Sequence, residues 1–288
     1  MTGTLLCLGH GYCARRFTAL YGEAFASRIG TSRSGAPAPG MEMLRFEGDA
    51  PPALLAAARA ADAVLVSAAP GEAGDPFLGP LGDALAQGQG PLVYLSTIGV
   101  YGDSGGAWID ESAPAAATAP RARRRIEAEA GWQELGRRAG RPVAVLRLGG
   151  IYGPGRNALL DMADGSARCI EREGQVFNRI HVDDIAGAIQ AALARRLDGV
   201  VNVVDDEPSP SCAPVRYAAE LLGVAPPPAE RFEEASARMS SMALSFWAEN
   251  RRVRNDRLHV LLGALRYPTY RDGLAALAAA SASAGSGW

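Results

Sequence analysis

Lysine is absent from this sequence, in which all 29 basic residues are arginine. A chain without lysine cannot form a Schiff base, supply the lysine of a phosphate-binding P-loop or use lysine to assist a catalytic tyrosine. Because alanine is abundant as well, we attribute this composition to a GC-rich coding bias. Some of the arginines are therefore expected at positions where similar proteins have lysine.

Cysteine and histidine are scarce and widely spaced. No Cys-x-x-Cys pair occurs, and the seven residues are Cys7, Cys13, Cys169, Cys212, His10, His181 and His259. This pattern predicts reduced thiols in a cytoplasmic protein and no metal site.

Long apolar runs and a strong net charge are also missing. The apolar stretches are the length of strands, which predicts neither a signal peptide nor a membrane span. The formal net charge is −2, so nothing favours binding to nucleic acid or to an anionic membrane. A chain of 288 residues fits one large domain or a nucleotide domain with a smaller partner.

A glycine-rich turn follows the first apolar run, within the sequence Leu-Leu-Cys-Leu-Gly-His-Gly-Tyr-Cys-Ala at residues 5–14. Gly9 permits a tight turn, Gly11 lets a pyrophosphate approach the backbone, and Ala14 lets a helix pack closely on its strand. We expect the helix at residues 15–26, with its amino end directed at the phosphates. The pattern predicts a dinucleotide site.

The second strand, predicted at residues 26–30, indicates which dinucleotide binds. A NAD site usually has Asp or Glu here, to bind the ribose 2′-hydroxyl. This sequence instead continues as Thr-Ser-Arg-Ser at residues 31–34. Ser32 and Arg33 suit a 2′-phosphate, so NADP is favoured while NAD stays possible. The alternative is that Arg33 is a solvated loop residue.

Apolar runs then alternate with helical patterns. The runs at 63–67, 92–96, 143–146 and 200–204 predict buried parallel strands, and helices are expected at 52–61, 76–87, 121–139 and 184–195. This alternation predicts an α/β fold, a doubly wound parallel sheet of the Rossmann type, with ligands at the carboxyl ends of the strands. Asp183 and Asp184 are expected to cap the last of these helices.

Prolines separate shorter helical patterns after residue 205, which predicts a small C-terminal helical cap. The expected cap helices are 215–222, 231–239, 255–262 and 271–280. We assign residues 1–205 to the nucleotide-binding domain, with 155–178 contributing to the cap, residues 206–280 to the cap, and residues 281–288 to a frayed tail.

Two further glycine-rich strand ends occur, Ser-Thr-Ile-Gly-Val-Tyr-Gly from Ser96 and Leu-Gly-Gly-Ile-Tyr-Gly-Pro-Gly from Leu148, followed by Arg-Ile-His-Val-Asp-Asp from Arg179. Together with the first turn, they resemble the extended and atypical short-chain dehydrogenase/reductase superfamily, close to the NAD(P)-dependent epimerase/dehydratase group. The resemblance covers about residues 4–275.

This resemblance implies a catalytic Ser or Thr followed by Tyr-x-x-x-Lys. Thr97 matches the Ser/Thr position, and the best alignment places Arg121 on the tyrosine and Arg125 on the lysine. Arg125 retains the charge needed to hold a nicotinamide ribose. Arg121 cannot exchange a proton near neutral pH, so the family's usual mechanism is not available.

Three interpretations stay open. Tyr101, Tyr152 or His181 supplies the acid, although each also fits a purely structural role. Alternatively, the protein binds NADP(H) without turnover, as a sensor or scaffold. In the third interpretation Arg121 recognises an anionic substrate group, unless residues 121–125 simply form an exposed basic helix start.

The predicted function is hydride transfer by an oxidoreductase or epimerase that acts on a small polar metabolite, sugar-like or possibly anionic, as a monomer or homodimer. The predicted catalytic residues are Thr97, Tyr101, Arg121 and Arg125. The predicted cofactor residues are Gly9, His10, Gly11, Tyr12 and Cys13 at the pyrophosphate, Ser32 and Arg33 at the 2′-phosphate, Ala68, Ala69 and Pro70 at the adenosine ribose, and Ser96, Gly149, Gly150 and Ile151 with Thr97 near the nicotinamide. Arg251, Arg252 and Arg254 are expected either to line the cleft or to form a solvated face.

Overall fold

A seven-stranded parallel sheet is the centre of the computed structural model, which describes residues 3–284. Three two-stranded sheets, β10-β8, β12-β9 and β13-β6, accompany it among the described residues. The strands of all four sheets, in chain order, are β1 (Thr4–Leu8), β2 (Ser27–Ser32), β3 (Glu42–Arg45), β4 (Ala63–Val66), β5 (Leu92–Thr97), β6 (Trp108–Ile109), β7 (Val143–Leu148), β8 (Gly150–Tyr152), β9 (Cys169–Glu171), β10 (Arg179–His181), β11 (Gly199–Val203), β12 (Ala229–Arg231) and β13 (Arg252–Val253).

The strand order in the sheet is β11-β7-β5-β4-β1-β2-β3. All of these pairs are parallel, including β1 with β4, where Leu5 lies beside Ala63. The chain order reverses direction between β1 and β4, and such switch points place ligands at the carboxyl ends of the strands. The predicted doubly wound α/β fold is confirmed.

Eleven helices are found among residues 3–284. They are α1 (Tyr12–Tyr21), α2 (Pro52–Ala60), α3 (Leu78–Ala86), α4 (Pro120–Ala139), α5 (Ala158–Ala163), α6 (Val182–Ala194), α7 (Cys212–Leu222), α8 (Phe232–Ser236), α9 (Ser241–Trp247), α10 (Asp256–Leu262) and α11 (Tyr270–Ala284).

Helices cover both faces of the sheet, as the continuous apolar strands require. On one face, Phe17 of α1, Ile185 of α6 and Leu258 of α10 form one buried cluster with the sheet. On the other face, Leu54 of α2 and Trp132 of α4 belong to a second cluster. Burying each such side chain contributes roughly 1.5–3 kcal/mol before the entropic cost of ordering it.

The predicted cap helices do not all pack together. Helices α5, α7 and α11 share a cluster that includes Leu159, Ala218 and Leu274. Residues 252–265 instead return to the nucleotide-binding domain, because β13 pairs with β6 and Leu265 is buried with the sheet. Residues 252–265 therefore pack apart from α5, α7 and α11, and the division of the chain into residues 1–205 and 206–280 stays a prediction.

Helix boundaries differ from the expectations at both ends of the chain. Helix α1 begins at Tyr12, directly after the turn, and ends at Tyr21. Helix α11 continues to Ala284, so a frayed tail starting at residue 281 is wrong for 281–284. The rest of that predicted tail, 285–288, lies outside the described residues.

The cysteine expectation requires a second correction. Cys169 of β9 and Cys212 at the start of α7 form a disulfide, whereas Cys7 and Cys13 are free and buried. Cys169 and Cys212 are 43 residues apart in the sequence, so no local pattern indicates that they pair. No helix among residues 3–284 is long and apolar enough to span a membrane.

Candidate functional site

The glycine turn after β1 depends on two different properties of its glycines. Gly9 has a φ of +87°, and its amide donates a 2.8 Å hydrogen bond to the Thr31 hydroxyl at the end of β2. A Cβ on Gly9 would lie 2.8 Å from the Ala68 amide nitrogen. Gly11 has an ordinary backbone conformation, and an added Cβ there meets no described atom within 4 Å.

The amino end of α1 is open beside this turn. The first amide that bonds back into the helix is that of Arg15, which donates to the Gly11 carbonyl. The preceding amides face outward with the positive end of the helix dipole, an arrangement that suits phosphate. The side chains of His10 and Tyr12 have other partners, the Thr18 hydroxyl and the Pro154 carbonyl, and Cys13 is buried. The predicted pyrophosphate residues can therefore bind a phosphate through their backbone amides and not through these side chains.

The predicted 2′-phosphate residues lie at the end of β2. Arg33 is exposed, and no side chain or backbone atom of the described residues pairs with its guanidinium. The Ser32 hydroxyl accepts a hydrogen bond from the Gly35 amide, which fixes the turn. Ala68, Ala69 and Pro70 follow β4, and Ala68 lies directly beside Gly9.

A cleft of about 500 Å³ lies beyond the carboxyl ends of β5 and β7. The predicted residues Thr97, Arg121, Arg125, Gly149, Gly150 and Ile151 all line it. The Thr97 hydroxyl accepts a hydrogen bond of 3.1 Å from the Gly99 amide. A parallel sheet thus brings together residues that are up to 54 positions apart, between Thr97 and Ile151.

The two arginines at the Tyr-x-x-x-Lys positions are held differently. Arg125 donates from Nη1 to the Tyr94 hydroxyl and to the Leu95 carbonyl, both at 2.9 Å. Its charge is therefore fixed at the end of β5. Arg121, one turn earlier on α4, is exposed and has no side-chain partner among residues 3–284.

A buried polar network lies behind the cleft, and sequence reasoning missed it. Glu129 accepts three hydrogen bonds from Arg147, Nη2 to Oε2 at 2.7 Å, and Nε to Oε1 at 3.1 Å and to Oε2 at 3.2 Å. The Ser96 hydroxyl donates to the same carboxylate. The Ser96 side chain therefore faces Glu129 and is not part of the cleft lining, and a contact of Ser96 with the cofactor stays a prediction. No local spacing indicates this network, because Arg147 and Ser96 are 18 and 33 positions away from Glu129.

Tyr101 does not reach the cleft. It is 6% exposed, and its hydroxyl donates to Asn202 Oδ1 at 2.7 Å. Burial raises the pKa of Tyr101, although the Arg147 guanidinium beside its ring opposes the shift. The structure therefore does not support Tyr101 as the catalytic acid.

The two other candidate acids have structural roles. Tyr152 lines the cleft, but burial raises its pKa and its hydroxyl donates to the Thr269 carbonyl. His181 caps α6, because its Nδ1 accepts from the Asp183 amide. Burial lowers the pKa of His181 to about 4, so the ring is neutral at pH 7.

His181 takes the capping role that was predicted for Asp183 and Asp184. Asp183 instead forms an ion pair with Arg16 of α1. Asp184 accepts hydrogen bonds from the amides of Arg266 and Tyr267. The two acids therefore join α6 to α1 and to the chain before α11, because each has a closer donor than the helix terminus.

The C-terminal arginines separate into two groups. Arg251 lines the cleft and pairs with Glu249 at 2.7 Å. Arg252 donates to the Gly106 carbonyl, and Arg254 is exposed with its guanidinium over the Trp108 ring. Only the first of the three is at the candidate site.

Asp205, at the end of β11, makes stability depend on pH. The residue is 1% exposed, and burial raises the pKa of its carboxyl to about 8, with the Arg179 guanidinium opposing the shift. The unfolded value is about 3.9, so the folded state retains a proton that the unfolded state has lost. Stability therefore falls as pH rises towards 8.

We expect the free energy of unfolding of the wild type to fall by about 2 kcal/mol between pH 6 and pH 8, relative to Asp205→Asn. Urea titrations of both proteins at several pH values measure this difference. The pKa of His181 shifts the opposite way, from 6.5 to about 4, but this contribution is common to both proteins and cancels in the difference. If the free energy of unfolding depends on pH in the same way in both proteins, Asp205 is not the group responsible.

Comparisons with known proteins agree with this geometry. Residues 81–204 match the model of the NAD dependent epimerase/dehydratase family. A 3-diazoavenalumate denitrifying reductase of a Streptomyces species is 31% identical over 209 residues, and the match spans 66% of each protein. A functionally unknown conserved protein from Silicibacter pomeroyi is 44% identical with a TM-score of 0.83, and the match covers 97% of this chain and 99% of that one.

A human epimerase family protein, solved with NADPH, has the same fold at 20% identity and a TM-score of 0.71, with 97% of this chain and 99% of that one covered. The segment that matches the family model, residues 81–204, includes Thr97, the Arg121–Arg125 positions and the glycine-rich end of β7. The chain belongs to the NAD-dependent epimerase/dehydratase family.

Proposed function

We propose that the protein is an NADP(H)-dependent oxidoreductase that reduces a small molecule in the cleft beyond β5 and β7. The pyrophosphate binds at the amides of Gly11, Tyr12 and Cys13, and the 2′-phosphate binds Arg33. The adenosine ribose lies at Ala68–Pro70. The nicotinamide lies near Thr97 and residues 149–151, which line the cleft.

The observation that supports this proposal most directly is the open helix start at Gly11. Its Cβ position is empty among the described residues, and the amides that follow Gly11 have no partner within α1. Such a cradle fits a diphosphate, which needs donors and close approach to the backbone. The unpaired Arg33 fits an additional phosphate.

The cleft is adapted to hydride transfer without an acid from the protein. Bound NADPH supplies the hydride. Arg125 offers a fixed cation for the nicotinamide ribose, and Thr97 offers a hydroxyl for the substrate. Tyr152, the one tyrosine among the cleft residues described, has its hydroxyl turned to Thr269. The proposed substrate therefore carries a strongly electrophilic group, which accepts hydride without simultaneous protonation.

The curated relative supports reduction as the direction of the reaction. That protein is named a denitrifying reductase acting on 3-diazoavenalumate, and reduction of an electrophilic nitrogen group is consistent with a cleft that lacks an acid. The match spans about two thirds of that relative's length. We carry over to this chain the reductive direction and not the individual substrate.

A second candidate function is a non-catalytic NADP(H) sensor. The observation that favours it is the same lack of an acid, since Tyr101 and Tyr152 both have other hydrogen-bond partners. A sensor binds NADPH and NADP⁺ with different affinities and consumes neither. Oxidation of bound NADPH by an electrophilic substrate, slowed in Thr97→Ala, excludes the sensor.

The dinucleotide assignment is tested by calorimetric titration with NADPH and NADH. We expect NADPH to bind more tightly, and Arg33→Ala to weaken NADPH binding about tenfold while leaving NADH unchanged, because a charged hydrogen bond contributes roughly 1.5–3 kcal/mol. Arg45→Ala is the matched control, since Arg45 is exposed on the neighbouring strand and pairs with Glu47. Equal weakening of both dinucleotides would overturn the 2′-phosphate assignment.

A further inference from the structure

The cleft contains one cation without a partner. Four arginines line it, but Arg125 is bound to Tyr94 and Leu95. Arg179 is bound to the Ser209 hydroxyl and carbonyl oxygens. Arg251 is paired with Glu249, the carboxylate that also lines the cleft. Arg121 alone has no hydrogen-bond, ion-pair or ring partner in the part of the chain that the structure describes.

The position of Arg121 costs local stability. It lies in the first turn of α4, where no acidic residue is present and where a cation opposes the helix dipole. Its guanidinium faces the cleft rather than a carboxylate of its own helix. Both facts are accounted for if an anion binds there, since a planar guanidinium is suited to two parallel hydrogen bonds with a carboxylate.

The same cleft exposes a large apolar side chain. Phe246 of α9 lines it and is 61% exposed. The next residue, Trp247, is buried against Phe177 and Phe232, so α9 is anchored while the Phe246 ring stays available. Further apolar side chains line the cleft, among them those of Ile98, Leu148, Ile151, Val176 and Phe177. This lining suits a planar apolar body better than a sugar, whose hydroxyls would need polar partners.

We propose that the cleft recognises an aromatic carboxylate, with the carboxylate on Arg121 and the apolar body against Phe246. This proposal rests on the proposed function, because it names the substrate class of the same site. It also replaces the sugar-like metabolite expected from the sequence. A guanidinium without a partner among the described residues and an exposed aromatic ring in the same cleft define this class.

Binding of 2-naphthoate to the protein without dinucleotide tests the proposal, with 2-naphthamide as the neutral probe of the same shape. We expect 2-naphthoate to bind at least tenfold more tightly than 2-naphthamide by calorimetry. Arg121→Gln should remove this difference, and Phe246→Ala should weaken both probes about tenfold.

Two matched variants serve as controls. Arg123→Gln removes an exposed arginine from the same turn of α4, and Met242→Ala removes a side chain of α9 that is equally exposed at 61%. Neither residue is part of the cleft lining, so both variants should bind the probes as the wild type does.

Three outcomes would overturn the proposal: equal affinity for the two probes, unchanged binding in Arg121→Gln, or tighter binding of UDP-glucose than of 2-naphthoate. Failure of the proposed function is separate, because it appears as absence of NADPH binding in the same protein. If the protein binds 2-naphthoate but does not bind NADPH, it is an anion-binding protein and not a reductase.

Discussion

Replacing Glu129 with glutamine is expected to lower the free energy of unfolding by about 3–5 kcal/mol. Glu129 and Arg147 are 3% and 6% exposed, so the change leaves the Arg147 guanidinium buried without a counter-charge. Glutamine has nearly the same volume and can still accept from Ser96, so the loss reports the charge rather than packing. Urea or thermal unfolding of purified protein measures it.

The control is Glu134→Gln on the same helix. Glu134 pairs with Arg137 at 2.8 Å, but the two side chains are 49% and 73% exposed, so the change should leave the free energy of unfolding nearly unchanged. A double variant, Glu129→Gln with Arg147→Met, should recover most of the loss because no charge stays buried. An unchanged midpoint in the single variant would show that water reaches this pair.

The network also explains how the fold fixes the candidate site. Ser96 and Thr97 are consecutive residues of β5, so their side chains point to opposite faces of the sheet. Ser96 is bound to Glu129 on one side, which leaves Thr97 at the cleft on the other.

The central sheet could be predicted because its strands are apolar on both faces. All four side chains of β4, for example, are buried, and such a run indicates a covered parallel strand whatever its neighbours are. Strand β3 was not predicted, because Glu42 and Arg45 of this edge strand are exposed and polar. Its identity as a strand depends on pairing with β2, which no local pattern shows.

The candidate site divides in the same way. The glycine turn is local, and the requirement for a positive φ at Gly9 follows from the turn itself. The roles of Ser96 and Tyr101 depend on partners that are 33 and 101 positions away. A single sequence indicates which residues are chemically able to act. It does not indicate which of them are already bound to a distant partner.

The two glycines of the turn give the sharpest separation of stability from cofactor binding. Gly11→Ala should leave the melting temperature unchanged, since its new Cβ meets no described atom within 4 Å and its φ of −87° suits alanine. The same methyl group would occupy the space through which the diphosphate approaches the amides of α1. We therefore expect affinity for NADPH and for NADH to fall at least tenfold, which is about 1.4 kcal/mol, measured by calorimetry.

Gly9→Ala should behave differently, because its φ of +87° and a Cβ only 2.8 Å from the Ala68 nitrogen strain the turn itself. We expect this variant to lose roughly 1–3 kcal/mol of stability as well as dinucleotide affinity. Gly105→Ala is the matched control for backbone strain, since Gly105 has a φ of +61° but open space around it and lies outside the turn. Normal NADPH binding by Gly11→Ala would contradict the proposed cofactor position, because a ligand held at these amides cannot tolerate the added methyl group.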